Sequence, residues 1–479
     1  MTVLALLLLV PTGAAFLLAF VRGDALAALL NVAACAGTFA ISCALLLDRP
    51  PVTELWLVDD FNAYLIVLTT FVMTTTAVFS AGYMTREVAA GHLPRGALRV
   101  YHALYQALNG AMLLAMVANN IGLLWVAIEA ATLITVVMVS LSRTRESIEA
   151  AWKYFILGSV GIALALFGTV LVYLAAQPVI GGGLEAMAWT ALQARAQGFS
   201  PAVLNLAFVF LLVGYGTKVG LAPVHAWLPD AHAEGPTPVS AVLSGLLLNT
   251  ALYALLRFKM VLAASGAAAT PGPLMIALGL GSLLFAGLML YRRRDLKRFF
   301  AYSSIEHMGI MTFAFGLGGV LANFAGLLHM AAHSLVKSAI FFAVGGIAQL
   351  KGTRRIAALS GITVSHPVLG WGLVLAVVAI AGAPPFGIFT SEFLMVTSAF
   401  PRAPALGVPF ALGLLIAFAA LMLRLQNIAF GATTPSTSPR AHATAVVPLY
   451  IHVGLALIAG LWLPATLAAW FGAVARLLG

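Results

Sequence analysis

The sequence predicts an all-α polytopic membrane protein of about fourteen transmembrane helices, with two inverted five-helix repeats that each contain a broken helix. Three observations carry that expectation. The first is composition: 62% of the 479 residues are hydrophobic and 8% are charged, whereas soluble domains are about a quarter charged. The second is that apolar stretches recur from end to end, each long enough to cross a hydrocarbon core of about 30 Å. The third is that Lys and Arg gather in short loops, as at Arg143 and Arg145, at Arg292, Arg293, Arg294, Lys297 and Arg298, and at Lys351, Arg354 and Arg355. This is the positive-inside pattern. The formal charge of +10 therefore reports topology: the partner it implies is the lipid bilayer, and nucleic acid is excluded.

Residues 1–100 are expected to hold three spans, with cores at 2–21, 25–47 and 61–84. The opening run MTVLALLLLVPTGAAFLLAF has no basic start and is long enough to span, so it reads as a retained helix rather than a signal peptide. Cys35 and Cys43 suit packing, and the chain has no CxxC or CxxxC. No cofactor is expected in this chain, and any electron transfer belongs to other subunits. Residues 101–262 hold the first repeat, with spans at 101–118, 120–141, 151–176, 202–222 and 237–262. Residues 273–430 hold the second, at 273–291, 299–318, 321–349, 367–399 and 406–430, and a last helix is expected over 446–475. The basic loops at 85–99, 142–146, 292–298, 351–355 and 440–442 all follow odd-numbered spans. That places them in the cytoplasm, with both termini on the outer face of the membrane. Five is odd, so the second repeat inserts inverted relative to the first, a design that binds ions near the midplane.

The fourth helix of each repeat is interrupted. In GYGTKVGLAPVHAWLPDAHAEG, Lys218 sits near the end of an apolar run and Gly220 and Pro223 follow. In AGAPPFGIFTSEF, Glu392 follows a Gly/Pro break. A charge at membrane depth is expensive without a partner, a cavity or water, and a broken helix survives there only inside protein or beside water. Both costs fall at the same places, so the segments read as parts of an ion path.

The remaining ionisable residues extend that reading. Glu129 lies in NNIGLLWVAIEAATLITVVMVSL, too deep to snorkel, and reads either as a hydrogen-bonded structural carboxyl or as a proton-handling acid. Lys218 is its obvious cation: at about 6 Å and an effective dielectric near 20, the pair interacts by roughly 3 kcal/mol. Lys153, beside Trp152 and Tyr154 at a helix start, is equally an interfacial anchor or a member of the path. LLHMAAHSLVKSAIFF puts His329, His333 and Lys337 at four-residue steps, hence on one helix face. A His–His–Lys face suits a hydrated proton relay or a structural hydrogen-bonding face. Metal is not expected there, because no HExxH glutamate and no third ligand lie nearby in sequence. Glu392 reads as functional or interfacial. Glu306 and His307, soon after the basic loop RRRDLKR, are expected to be partly hydrated. His225, Asp230 and His232, in the polar stretch HAWLPDAHAEG, line an entry path or cap the next helix.

Taken together, KVGLAPVHAWLPDAHAEGPTPVSAVLSG, NNIGLLWVAIE, DLKRFFAYSSIEHMG and the HxxxHxxxK helix resemble the antiporter-like proton-channel subunits of respiratory complex I and its relatives. LLLNTALYALLRFK and SSIEHMG most resemble the F-subunit branch found in hydrogenase-4 and formate-hydrogenlyase-type complexes. The resemblance implies a fourteen-helix fold with half-channels meeting at mid-membrane. It also implies that Glu129 and Lys218 form the first-repeat pair, that His329, His333 and Lys337 form the second-repeat relay, and that Glu392 is the exit residue. One position departs from the pattern: complex I members carry a lysine where this chain has Asn249, so the link between half-channels is left to water or to the His329 helix. The function expected is proton translocation driven by redox chemistry in partner subunits. The alternatives are a cation/proton antiporter subunit, a subunit coupled to inorganic-carbon uptake, and a membrane anchor that moves no protons.

Overall fold

The computed structural model describes residues 2–266, 270–432 and 441–479. Arg440, part of the expected basic loop at 440–442, lies outside them. Among the described residues the chain is helical, with three isolated β-bridges and no strand. Ten helices among the described residues are long and apolar enough to cross a membrane, so the chain is a multi-pass membrane protein. Each of the other four expected spans also corresponds to a helix or a helix pair. Thr2–Leu18, Ala97–Val117 and Leu296–Leu317 are continuous, and 367–399 is divided into Pro367–Ile380 and Gly387–Arg402. Leu296–Leu317 is less apolar because it buries Lys297, Glu306 and His307.

Two differences from expectation stand out. The last span is two helices, Ala443–Leu461 and Ala465–Leu477. Pro464 separates them: it has no N–H to continue the first helix and suits the start of the second. The stretch expected as a polar loop after the first break contains a helix, Trp227–Glu234, which tolerates Pro229 because the proline falls in its first turn.

Contacts between helix ends sort the loops onto two faces. On one, Arg86 Nε donates to Gln349 and Gln349 Nε2 to Glu87. Arg354 and Lys297 donate there to the carbonyls of Ala233 and Gly235, and Asp295 bridges Arg355. The basic loops 85–99, 292–298 and 351–355 thus share a face. Arg292, Arg293, Arg294, Arg355 and Arg424 line an open cleft on that face. On the other face Trp56 bridges Ala118, Trp470 Nε1 donates to the Asp60 carbonyl, and Gly319 N–H donates to Gly479. The first repeat accordingly starts from the basic face at Ala97, and the second starts from the opposite face at Pro271.

Two helices form the centre. Every residue in the apolar window of Thr237–Ala264 is buried, as is 94% of that of Gly319–Lys351. These helices carry Asn249 and the His329, His333 and Lys337 face. Around them, Arg145–Ile180 approaches Pro201–Val219 closely: a Cβ on Gly214 would strike the backbone of Gly161 and Ala165. Small residues at such contacts let membrane helices pack by van der Waals attraction where no hydrophobic force operates.

Arg257 fixes the far end of the central helix. It is 2% exposed and makes a bidentate pair with Asp59 at 2.6 and 2.7 Å. Asp59 also caps the Asp60–Ala89 helix by accepting from the amides of Phe61 and Asn62. Removing one partner of a buried pair strands the other, at about 3–5 kcal/mol. The Asp59 side chain is 28% exposed, which favours the lower end. Arg257→Leu is therefore expected to lower stability by about 3 kcal/mol, seen as a clear fall in the thermal unfolding midpoint in detergent.

Candidate functional site

The first break is built by Gly220, whose φ of 82° ends the Pro201–Val219 helix in the left-handed region. The Ala222–Pro223 bond is cis. Backbone groups released by the break find side-chain partners. Trp227 Nε1 donates to the Thr217 carbonyl at 2.8 Å, and the Ala222 amide donates to Ser282 Oγ at 2.9 Å. Trp227 in turn stacks on Tyr154, with ring centroids 4.1 Å apart, so the break is anchored to the neighbouring helix.

Lys218 lies two residues before Gly220, with its side chain 4% exposed. Its Nζ is 3.6 Å from Glu129 Oε2 and donates to Thr132 Oγ1 at 2.8 Å. The pair expected from separate helices is thus in contact. Gly158 supplies the space: a Cβ there would sit 2.9 Å from the ammonium.

The second break follows the same plan, with Gly382 at φ 73° and a cis Pro384–Pro385 bond. A Cβ on Gly382 would collide with the Glu392 carboxylate, which therefore folds back against the break. Six further side chains are linked nearby, of which His307 and His329 place donor atoms within 4.8 Å of the Glu392 carboxylate. His329 Nδ1 is 2.9 Å from Ser391 Oγ, and His329 Nε2 is 3.0 Å from His307 Nδ1. The His307 and His333 rings are 5.5 Å apart, and His307 Nε2 lies 3.7 Å from Glu306 Oε2. Lys337 Nζ donates to the Phe300 carbonyl at 3.1 Å.

Two expectations change here. Glu306 and His307, expected near the hydrated edge, are 2% and 0% exposed, with His307 against His329 on the side away from Ser391. His329 does have further ligating groups nearby, because His307 and Glu392 place donor atoms within 4.8 Å of it and of each other.

The remaining residues divide by face. Lys153 is half exposed and pairs with Glu149 at 2.7 Å and Asp230 at 3.1 Å. Asp230 also meets Arg298 at 3.1 Å. Both residues belong to an ion network at the basic face, apart from Lys218. His232 points inward, fully buried and stacked 5.2 Å from Phe341. His225 packs beside Phe285 at 4.8 Å. Asn249 follows a π-helical turn over Leu243–Leu247 and donates to Ser334 Oγ at 2.9 Å, so it is tied to the His329 helix.

Charge-based reading missed the hydroxyl groups. Ser244 and Ser304 are 2.7 Å apart, and Ser304 shares the Phe300 carbonyl with Lys337. Tyr154 joins Thr135 at 2.9 Å beneath Lys218. A serine or threonine satisfies its own helix carbonyl, so it leaves no penalty in an apolar run to give it away. The one available signal was the Ser303–Ser304 pair just before Glu306.

Residues 118–420 match the membrane-spanning family described as NADH:quinone oxidoreductase/Mrp antiporter. The chain belongs to this family. It is 58% identical over 434 residues to the hydrogenase-4 component F homolog of Methylacidiphilum infernorum, covering 91% of each chain. It is 31% identical over 390 residues to NADH-quinone oxidoreductase subunit N of Desulforudis audaxviator, covering 78% of this chain and 74% of that one. Among solved structures it is similar to a chain of the archaeal membrane-bound sulfane sulfur reductase, with a TM-score of 0.89 and 22% identity. That match covers 100% of this chain and 98% of the other, and at such identity the likeness is one of fold. Within this family fold, the two broken helices bring Lys218 and Glu392 into the interior from opposite repeats.

Proposed function

We propose that the chain is the proton-translocating membrane subunit of a bacterial redox complex of the hydrogenase-4 or formate-hydrogenlyase type, or of an NADH dehydrogenase-like assembly. The observation that carries this reading is the Lys218–Glu129 pair, 3.6 Å apart inside the membrane beside a broken helix. The 58% identity to a hydrogenase-4 component F homolog supports the choice of complex. The domains we propose are three helices at 1–100, the repeats at 101–262 and 273–430, and a C-terminal unit at 446–475. We assign the basic face to the cytoplasm and both termini to the outer side of the inner membrane. Other membrane and peripheral subunits supply the redox chemistry.

The proposed path runs from Glu129 and Lys218, past His232 and the Ser244–Ser304 pair, to Lys337, Glu306, His333, His307, His329 and Glu392. Glu129 Oε2, Glu306 Oε2, His307 Nε2 and both ring nitrogens of His232 and His333 are buried without a protein hydrogen-bond partner among the described residues. Buried polar groups are satisfied by protein or by ordered water, so this lining suits a water-bridged proton wire. The Lys218 ammonium favours the ionised carboxylate of Glu129, and moving it away favours the protonated form. Movement of one charge thereby sets the proton affinity of its neighbour.

The test is redox-driven acidification of inverted vesicles carrying the whole complex. Acidification independent of sodium is expected. A requirement for a sodium gradient would replace this reading with a cation/proton antiporter, and electron transfer without acidification would leave only a membrane anchor. A finer prediction concerns Gly158. Gly158→Ala intrudes on the ammonium of Lys218 and is expected to slow translocation roughly tenfold, an effect of about 1.4 kcal/mol on the barrier. Expression and assembly are expected to be normal, checked by the yield of intact complex.

A further inference from the structure

We propose that His307, His329 and Glu392 form a site for one divalent transition-metal ion of the zinc class. The three residues come from separate helices, Leu296–Leu317, Gly319–Lys351 and Gly387–Arg402. Each offers a donor atom, and the three atoms lie within 4.8 Å of one another. Two imidazole nitrogens and a carboxylate oxygen form a donor set that zinc takes at about 2.0–2.2 Å, with a fourth position left open. Ligands of one tetrahedral ion stand about 3.4 Å apart at those bond lengths. His307 Nδ1 and His329 Nε2 are 3.0 Å apart, so they need to separate by only a few tenths of an ångström. Glu392, at 9% exposure, is the member nearest the surface. Imidazole nitrogen donors favour a transition metal over sodium or magnesium, which prefer oxygen.

The surrounding groups orient these ligands. Ser391 Oγ donates to the Ile388 carbonyl at 2.8 Å, so its oxygen is left to accept from His329 Nδ1 at 2.9 Å. That hydrogen bond holds the His329 proton on Nδ1 and leaves Nε2 as a lone pair facing His307. His307 then donates from Nδ1 to His329. Metal binding requires the His307 proton to move to Nε2, and Glu306 Oε2, 3.7 Å from that nitrogen, has to approach by about 0.5 Å to accept it. The imidazole stays neutral throughout, so no net proton is lost from it. Metal-binding histidines characteristically direct their second nitrogen at such a partner. An ion here replaces the His307–His329 hydrogen bond by two coordinate bonds and immobilises Glu392.

The binding claim rests on geometry alone. Its consequence, inhibition of translocation, rests on the proton-path reading above. The experiment uses the purified complex, freed of metal with a chelator, loaded with zinc chloride and washed. Zinc bound by this chain is counted by mass spectrometry, and its environment is read by X-ray absorption. One zinc per chain is expected, with nitrogen and oxygen neighbours and an imidazole signature. Glu392→Gln and His329→Gln are each expected to weaken zinc binding at least tenfold. Ser391→Ala, which keeps all three ligands, is expected to weaken it about tenfold through loss of His329 orientation. Zinc binding unchanged in all three variants, or lacking imidazole neighbours, overturns the proposal. If zinc binds as expected and proton flux is unaffected, the site stands and these residues leave the proton path. If zinc does not bind while flux depends on Glu129 and Lys218, the metal site falls and the proton reading stands.

Discussion

Lys218→Ala is expected to reduce redox-driven proton translocation to background while the complex still assembles in the membrane. The ammonium is the only cation paired with Glu129 among the described residues, at 3.6 Å. At an effective dielectric near 20, that separation corresponds to about 4–5 kcal/mol, or roughly three orders of magnitude in the equilibrium between protonated and charged carboxyl. Without it, Glu129 keeps its proton across the cycle and the first half-channel stops. Assembly is expected to survive because the helix is held by other means: Trp227 still grips the Thr217 carbonyl and Gly214 still packs against Gly161. Glu129→Gln is expected to reach the same endpoint from the other side. Because the two side chains act as one unit, the double variant is expected to be no worse than either single one. Lys218→Arg keeps the charge but adds bulk against Gly158 and binds a carboxylate more rigidly, so it is expected to fail too. Translocation at the normal rate in Lys218→Ala or Glu129→Gln vesicles would remove the pair from the mechanism. The readout is acidification measured beside electron transfer in the same preparation, which separates a blocked channel from a broken complex.

How far the site was legible follows from what each residue costs. Lys218, Glu129 and Glu392 announced themselves because a charge in an apolar run is penalised wherever it points. His329, His333 and Lys337 were legible through their four-residue steps. Glu306 and His307 were misplaced by judging depth from the distance to the basic loop. The helix starts at Leu296, so Glu306 lies ten residues along it, or about 15 Å at 1.5 Å per residue, which is half a membrane. Proximity of His307 and Glu392 to His329 was beyond reach, since it depends on how three helices pack. The serine links were silent for a different reason, because a hydroxyl that bonds its own helix leaves no mark on the apolar pattern. The break at Pro464 had a signal, the proline itself, but the apolar run on both sides outweighed it. Asn249 carries no charge, and its bond to Ser334 ties it to the His329 helix.

His307→Ala is expected to be the most damaging single change in the second repeat, again abolishing translocation. Its ring reaches three others: His329 at 3.0 Å, Glu306 at 3.7 Å, and the His333 ring at 5.5 Å between centroids. On the opposite side of His329, Ser391 continues toward the break. Removing His307 leaves Glu306 and Lys337 on one side and His329 with Glu392 on the other, and alanine offers no proton acceptor between them. Loss of a buried ring also leaves a cavity, with a stability cost of a few kcal/mol. His307→Gln fills much of that space and offers hydrogen bonds, but an amide does not carry a proton as imidazole does. The two variants therefore separate packing from proton transfer. If both lose translocation while His307→Gln keeps wild-type thermal stability, the imidazole is acting as a proton carrier. If His307→Gln translocates normally, the ring serves only to fill and brace the interior. The proton route must then bypass it through water between Glu306 and Glu392.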